Sequence, residues 1–474
     1  MRRAEFGSDG LRGLAGEWPL NEEGMLHLAR SLAKFLRARS EHPVVILGRD
    51  TRPSGFTLSH VLQAGLLRES IDVMDLGIMT TPGVAYLSRN QDVDLGICVS
   101  ASHNPPEYNG IKLLDPDGLR LPREDEIEIE GLLAHFATAQ TLEAPSFGQH
   151  IDGHHLVEMY IQDHVQQFRD RSLEGFGVVL DCAHGAAARV APHVFRRLGA
   201  RVSVMNRDTS GQWINHSAGS EFARLQPAPL AQSVGRQGAV CGFAFDGDGD
   251  RLVVVDASGM VYDGDDLLFA LAVAFDDLGL LTGSTVVTSH PANKGLDAAL
   301  AHRGIEVLRT GKGDKALEAA MWRGGYFLGG EQFGNIIIND GCHTAADAIH
   351  AALWLAMTLH ERSIPLADMV GSLAKSPQVV ASVRLAAAPK SEPAFSLQDH
   401  IRRAQATLGN ASRIIAWYST TEAGVFKVLV EGGADDLIED VRREAVALCE
   451  AFRQDVGATN SMLEVLEVSS RLRR

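Results

Sequence analysis

Three stretches of this chain follow one plan: a short β-branched apolar run, a polar turn carrying Gly or Pro, then an amphipathic segment. Val44-Val45-Ile46-Leu47 leads into Gly48 to Gly55, Val178-Val179-Leu180 into Asp181 to Ala187, and Val286-Val287 into Thr288 to Gly295. Each reads as strand, turn and helix, with Val190 to Leu198 as a representative helical stretch. A second half of the plan follows roughly 40 to 65 residues later in each segment, as expected for repeated units. There an apolar strand runs into a chemically loaded loop: Ser100 to Asn104, Asp246 to Arg251, and Gly330 to Asn335. The pattern predicts an α/β protein in which three similar mixed α/β domains each aim one loop at a common place.

Asp115 to Arg123 reads as a turn-rich excursion, Glu143 to Gly153 as a linker, and His154 to Phe168 as a helix. Beyond Ser376-Pro377 the rhythm changes. A strand over Val379 to Val383, a helix over Leu397 to Leu408, strands near Ile414 and Val428 and a long terminal helix predict a smaller C-terminal α+β domain. The expected division is 1–153, 154–256, 257–374 and 375–474.

At 474 residues the chain is too long for one core. A net charge of -16 without a long basic run argues against nucleic acid as a partner, while leaving room for an anionic small molecule beside a local Lys/Arg cluster. No apolar run reaches the about 18 residues a membrane helix needs, and Met1-Arg2-Arg3-Ala4-Glu5 is not followed by the apolar core of a signal peptide. Cys98, Cys182, Cys241, Cys342 and Cys449 lack paired or metal-type spacing. The expectation is reduced thiols in a cytoplasmic protein with no membrane partner.

Val99-Ser100-Ala101-Ser102-His103-Asn104-Pro105 closes an apolar strand with a turn that Asn104-Pro105 enforces. Ser102 is thereby displayed at the carboxyl edge of a sheet, as a capping hydroxyl or as a nucleophile and phosphoryl carrier. Phe245-Asp246-Gly247-Asp248-Gly249-Asp250-Arg251 sets three carboxylates at alternate positions, with glycines that let the backbone fold them together. Three hard oxygen ligands suit Mg²⁺. A helix-loop-helix Ca²⁺ site wants a bidentate glutamate where Ala257 stands, and an aspartyl-phosphate phosphatase loop wants Thr or Val where Asp250 stands. A phosphate on Ser102 would complete the shell of an ion held by Asp246, Asp248 and Asp250, and the ion would offset the charge repulsion among them. Glu331, Gln332 and Asn335 offer a carboxylate and amides for vicinal sugar hydroxyls, in a Gly-rich turn that alone carries little weight. Among basic residues, Arg12 is a surface charge or a catalytic group, and Lys312 and Lys315 are surface charges or substrate contacts. Lys112 is the candidate proton acceptor, with a pKa lowered by nearby cations, or a phosphate clamp. His103 is a candidate base for Ser102, although neighbours on a strand-end turn tend to point apart.

Together these segments resemble the α-D-phosphohexomutase superfamily, and within it the phosphoglucosamine mutase branch most. The resemblance rests on Phe6-Gly7-Ser8-Asp9-Gly10-Leu11-Arg12-Gly13, Ser100-Ala101-Ser102-His103-Asn104-Pro105, Asp246-Gly247-Asp248-Gly249-Asp250-Arg251 and Gly330-Glu331-Gln332. It implies four domains around a central cleft, a phosphorylated Ser102 and one Mg²⁺ on Asp246, Asp248 and Asp250. It also implies interconversion of 6-phospho and 1-phospho sugars through a hexose 1,6-bisphosphate, in a monomer or homodimer. Arg251, Lys312, Lys315, Glu331, Gln332, Asn335, Ser419, Thr420, Thr421 and Lys427 take the substrate-binding positions. Two segments depart from the family pattern. Phe333 and Asn335 replace a Ser and a His, and Trp417-Tyr418-Ser419-Thr420-Thr421-Glu422-Ala423 lacks the Arg and Gly of a phosphate loop. These departures leave two further readings: the same phosphoserine chemistry with another sugar or a bisphosphate product, or a non-catalytic binding paralogue.

Overall fold

The computed structural model describes residues 6–7, 10–136, 147–311, 314–385, 395–409, 412–418, 424–433, 436–456 and 461–469. The first sheet contains β1 (Leu11–Leu14), β2 (Val44–Arg49), β3 (Asp72–Ile78), β4 (Leu95–Val99), β5 (Tyr108–Leu114) and β6 (His150–Asp152), in the order β1-β5-β4-β2-β3-β6. The second contains β7 (Gly177–Asp181), β8 (Arg201–Met205), β9 (Cys241–Phe245), β10 (Leu252–Val255) and β11 (Val261–Tyr262), ordered β11-β10-β9-β7-β8. The third contains β12 (Thr285–Ser289), β13 (Glu306–Thr310), β14 (Leu328–Gly330) and β15 (Ile336–Ile338), ordered β13-β12-β14-β15.

The repeat read in the sequence is therefore a repeat of topology. In each sheet the leading strand (β2, β7 or β12) pairs in parallel with the third strand of its repeat, which then turns back antiparallel into the fourth. The three loaded loops occupy the same place each time: β4 to β5, β9 to β10, and β14 to β15. Their position follows from burial. β4 and β9 are buried along their whole length, so polar side chains first find room where the strand ends.

Around the first sheet, helix Glu22–Arg37 buries Leu28, Leu32 and Leu36, and helix Pro53–Arg68 buries Leu58, Leu62 and Leu66. Both stripes run at i, i+4, i+8 and pack with Val45, Leu47, Ile97 and Val99. Each fully buried leucine contributes about 1.5–3 kcal/mol.

The chain divides into two compact units, residues 1–288 with 308–368, and residues 289–307 with 369–474. The second unit holds an antiparallel sheet ordered β17-β18-β16-β19, from β16 (Gln378–Arg384), β17 (Arg413–Tyr418), β18 (Val425–Glu431) and β19 (Met462–Ser469). Val379, Ala381 and Val383 pack there against Leu448, Cys449 and Phe452 of helix Ile438–Asp455.

Two expectations are corrected. The linker over Glu143 to Gly153 contains β6, which pairs in parallel with β3. The chain continues past its long helix into β19, which pairs along the whole of β16.

Candidate active site

Ser102 sits in the left-handed region at φ 51, which turns its side chain out of line with β4. The loop is held from behind by Arg52, fully buried, whose guanidinium donates to the carbonyls of Ser102 (2.8 Å), Asn104 (2.7 Å), Tyr108 (3.0 Å) and Pro105. Arg52 Nε also donates to Asp50 Oδ2 at 2.9 Å. Asp50 in turn accepts from the Ser100 hydroxyl (2.6 Å), which accepts the Ser102 amide (2.9 Å). Burial pushes the Asp50 carboxyl up, while Arg52 and these hydrogen bonds oppose it. Asn215 adds a bond from Nδ2 to the Ser102 carbonyl at 2.7 Å, and Arg12 on β1 reaches Asn104 Oδ1 at 3.3 Å.

The second loop meets the first. The Ser102 hydroxyl donates to Asp246 Oδ2 at 2.6 Å and lies 3.3 Å from His103 Nδ1, so His103 faces its neighbour instead of pointing away. Gly247 permits the approach: a Cβ there would stand 2.7 Å from the Ser102 carbonyl oxygen and 2.9 Å from Ile214. Asp246 Oδ1 accepts the amides of Gly249, Asp250 and Arg251, each at 3.1 Å, which coils the loop about that carboxylate.

Ligand oxygens of Asp246, Asp248 and Asp250 lie within 4.8 Å of one another, all buried. Among the described residues, Asp248 Oδ1 and Asp250 Oδ1 have no hydrogen-bond partner. Burial, reinforced by the charges of Asp250 and Asp248, pushes the Asp246 carboxyl well above the ordinary range. A hard divalent cation fits this donor set: it takes orphaned carboxylate oxygens and removes the repulsion among them.

Lys112 on β5 is buried and donates to Asp248 Oδ2 (2.7 Å) and Asp250 Oδ2 (2.8 Å). Burial alone would lower its pKa, but the two carboxylates outweigh that and raise it. The expected lowered pKa is corrected; here the ammonium is held charged. Thr81, the first residue of helix Thr81–Asn90, completes the cradle by donating to Asp248 Oδ2 at 2.5 Å.

The third loop is fastened to the second. Arg251 and Asn335 form an isolated antiparallel bridge, and the Leu252 amide donates to the Gly334 carbonyl at 2.9 Å. Gly334 stands at φ +100, and a Cβ there would lie 2.2 Å from the Leu252 oxygen. Two expected sugar contacts turn inward: Gln332 donates to Asp265 Oδ2 (3.0 Å), and Asn335 to the Asp250 carbonyl (3.4 Å). Glu331 is left half-buried, and the Arg224 guanidinium lies 5.5 Å from the centre of the Phe333 ring. Lys315 pairs with Glu126 of helix Arg123–Phe136. In the second unit Lys427 stands on β18 opposite Ser382 and Trp417. Lys312, Ser419, Thr420 and Thr421 lie outside the described residues.

Arg52, Thr81 and Asn215 escaped the sequence reading. Gly48 to Gly55 was visible as a turn at the end of a repeat's first strand. Its Asp50-Thr51-Arg52 was the available signal, since neighbouring parallel strands end side by side.

Family models of phosphoglucomutase/phosphomannomutase match the chain as alpha/beta/alpha domain I over residues 3–139, domain II over 158–259 and domain III over 263–376. The chain is 38% identical over 455 residues to a phosphoglucosamine mutase of Anoxybacillus flavithermus, spanning 94% of this chain and 99% of that one. It is 35% identical over 454 residues to one of Syntrophus aciditrophicus, spanning 95% and 99%. Its fold is similar to that of a phosphoglucomutase/phosphomannomutase family protein of Burkholderia thailandensis, with TM-score 0.76 and 23% identity over 97% of this chain and 98% of that one. A putative phosphomannomutase of Thermus thermophilus gives TM-score 0.73 and 21% identity over 95% and 99%. All three family domains fall in chain order, and curated relatives match along nearly their full length; the chain belongs to the phosphoglucomutase/phosphomannomutase family of phosphohexomutases.

Proposed function

We propose that this hexose-phosphate mutase interconverts 6-phospho and 1-phospho glucosamine, with Ser102 as the phosphoryl carrier. The observation that carries the reading is the 2.6 Å bond from the Ser102 hydroxyl to Asp246, which brings the nucleophile loop onto the carboxylate loop. Asp246, Asp248 and Asp250 would hold one Mg²⁺. When bound, that ion supplies charge neutralisation at the transferring group.

The protein's own part is positioning. Arg52 and Asn215 fix the loop carbonyls so that the Ser102 oxygen keeps one direction. Lys112 brings a fixed positive charge to the carboxylate loop, and His103 Nδ1 is placed to hold the serine proton. A sugar hydroxyl attacks the seryl phosphate as the bond from phosphorus to the Ser102 oxygen breaks, and the hydroxyl's proton passes by way of His103 to the departing Ser102 oxygen. The hexose 1,6-bisphosphate then returns its other phosphate to Ser102 with the proton moving back. Glu331 is the sugar-loop group free to meet hydroxyls. Arg12 remains a proposed catalytic residue, and Arg251, Lys312, Lys315, Ser419, Thr420, Thr421 and Lys427 remain the proposed substrate contacts, on domains divided near 153, 256 and 374. A cytoplasmic monomer or homodimer using hexose 1,6-bisphosphate as activator completes the reading. No described helix is long and apolar enough to cross a membrane.

The inward turn of Gln332 and Asn335 favours one second reading, the same chemistry on another hexose. Purified protein with Mg²⁺ and a trace of hexose 1,6-bisphosphate is assayed on the 1-phosphates of glucosamine, glucose and mannose. Turnover fastest on glucosamine 1-phosphate and abolished by Ser102→Ala supports the first reading, and a preference for glucose or mannose selects the second. No turnover on any of them, with no phosphate on Ser102, refutes both and leaves a binding paralogue.

A further inference from the structure

Away from the carboxylate loop, three buried histidines converge. We propose that His164, His343 and His350, completed by Asp347, form a second metal site, for a borderline transition-metal ion of the Zn²⁺ class. His164 comes from helix Leu156–Gln167, His343 from the turn after β15, and His350 from helix Ala348–Arg362. Each is at most 3% exposed, and one ligand atom from each lies within 4.8 Å of the other two. The rings stack, with His343 to His350 at 4.3 Å and His164 to His343 at 4.7 Å between centroids.

Hydrogen bonding distinguishes this group from ordinary core histidines. Buried polar atoms are almost always partnered. Among the described residues, both ring nitrogens of His164 and Nδ1 of His350 are buried without a hydrogen-bond partner. The outer nitrogens, by contrast, have polar neighbours: His343 Nε2 lies 3.1 Å from Asp163 Oδ2, and His350 Nε2 lies 3.2 Å from Asp340 Oδ2 and 3.2 Å from the Trp354 indole nitrogen. A carboxylate behind an imidazole is the usual outer partner of a metal-binding histidine; Nδ1 of His343 then faces Asp347, and Nδ1 of His350 has no partner among the described residues. Asp347 supplies an oxygen at the same place, with Oδ2 3.3 Å from His343 Nδ1 and 3.7 Å from His164 Nε2, while also accepting the Tyr160 hydroxyl at 2.5 Å.

Three imidazoles and one carboxylate select Zn²⁺, Co²⁺ or a similar ion over Mg²⁺. The two sites therefore differ in hardness. Asp347 also caps helix Ala348–Arg362, accepting the amides of Ile349 (3.0 Å) and His350 (2.9 Å). The Ala348 amide donates to the Gly249 carbonyl at 3.2 Å, so an ion here would pin the start of that helix beside the carboxylate loop.

The test uses the untagged full-length chain, stripped of metal and then kept in Mg²⁺ so that the carboxylate loop is filled. One equivalent of Co²⁺ should develop the visible absorption of a four-coordinate site and be displaced by Zn²⁺. The zinc absorption edge should show imidazole nitrogen neighbours. His164→Asn and His350→Asn should each remove this equivalent, and Asp340→Asn should weaken it about 10- to 100-fold. Wild-type protein that takes up no zinc, or binds it with oxygen neighbours only, overturns the proposal, as does uptake unchanged in both histidine variants. The absorption-edge measurement needs only the wild-type chain, so a variant that fails to fold leaves the decision intact.

Discussion

Arg52 donates to four carbonyls around the serine loop and to Asp50, so its loss exposes more than one missing bond. Arg52→Ala leaves Asp50 buried without its counter-charge, and such a break costs about 3–5 kcal/mol. Denaturant unfolding should read that loss, and kcat should fall with it. Arg52→Lys restores charge without the planar fork and should recover stability only in part. Lys112→Met should behave differently. It leaves Asp248 and Asp250 without their cation, so added Mg²⁺ should raise the melting temperature of the variant more than that of the parent protein. Equal shifts would show that Lys112 and the ion do not share those carboxylates. At this scale the groups of the reacting centre were legible, because a serine at a strand end and aspartates alternating with glycines are local patterns. Arg52, Thr81 and Asn215 were not, because the serine-loop and aspartate-loop groups they hold lie 50 or more positions away and only the folded chain joins them.

The three strand-end loops act together because glycines let their backbones touch. Gly247→Ala places a methyl group 2.7 Å from the Ser102 carbonyl, so the loops must part. Steady-state kinetics should show a drop in kcat larger than any change in KM. Helix Asp314–Gly324 carries a different signature. Burial pushes its Glu318 carboxyl up to about 7, against the pull of Arg120. The folded state therefore holds this proton more tightly than the unfolded chain, and stability falls as pH rises from about 4.5 to about 7. Glu318→Gln should flatten that part of a melting-temperature profile. The repeated strand-turn-helix plan was readable because fully buried β-branched runs stand out. β19 was not: Leu463-Glu464-Val465-Leu466-Glu467-Val468 repeats every three residues, close to a helical period, and pairing with β16 decides the matter. β6 is three residues long and gains its strand character from the edge of β3.

For the whole molecule, a net charge of -16 sits beside a function that handles phosphate dianions. A divalent cation on the buried carboxylate triplet, together with Lys112, would offset the three negative charges there and let both hold. Chelation should abolish turnover, and Mg²⁺ at about 100 times its Kd should restore about 2.7 kcal/mol of stability. The departures at Phe333, Asn335 and Trp417 to Ala423 fall outside the serine and aspartate loops, which are built as a unit. The most direct measurement is peptide mapping by mass spectrometry after incubation with hexose 1,6-bisphosphate and Mg²⁺. A single phosphate on Ser102, discharged when glucosamine 1-phosphate is added, is the predicted result. Turnover that persists with no phosphate on Ser102, or with phosphate on another residue, would contradict it.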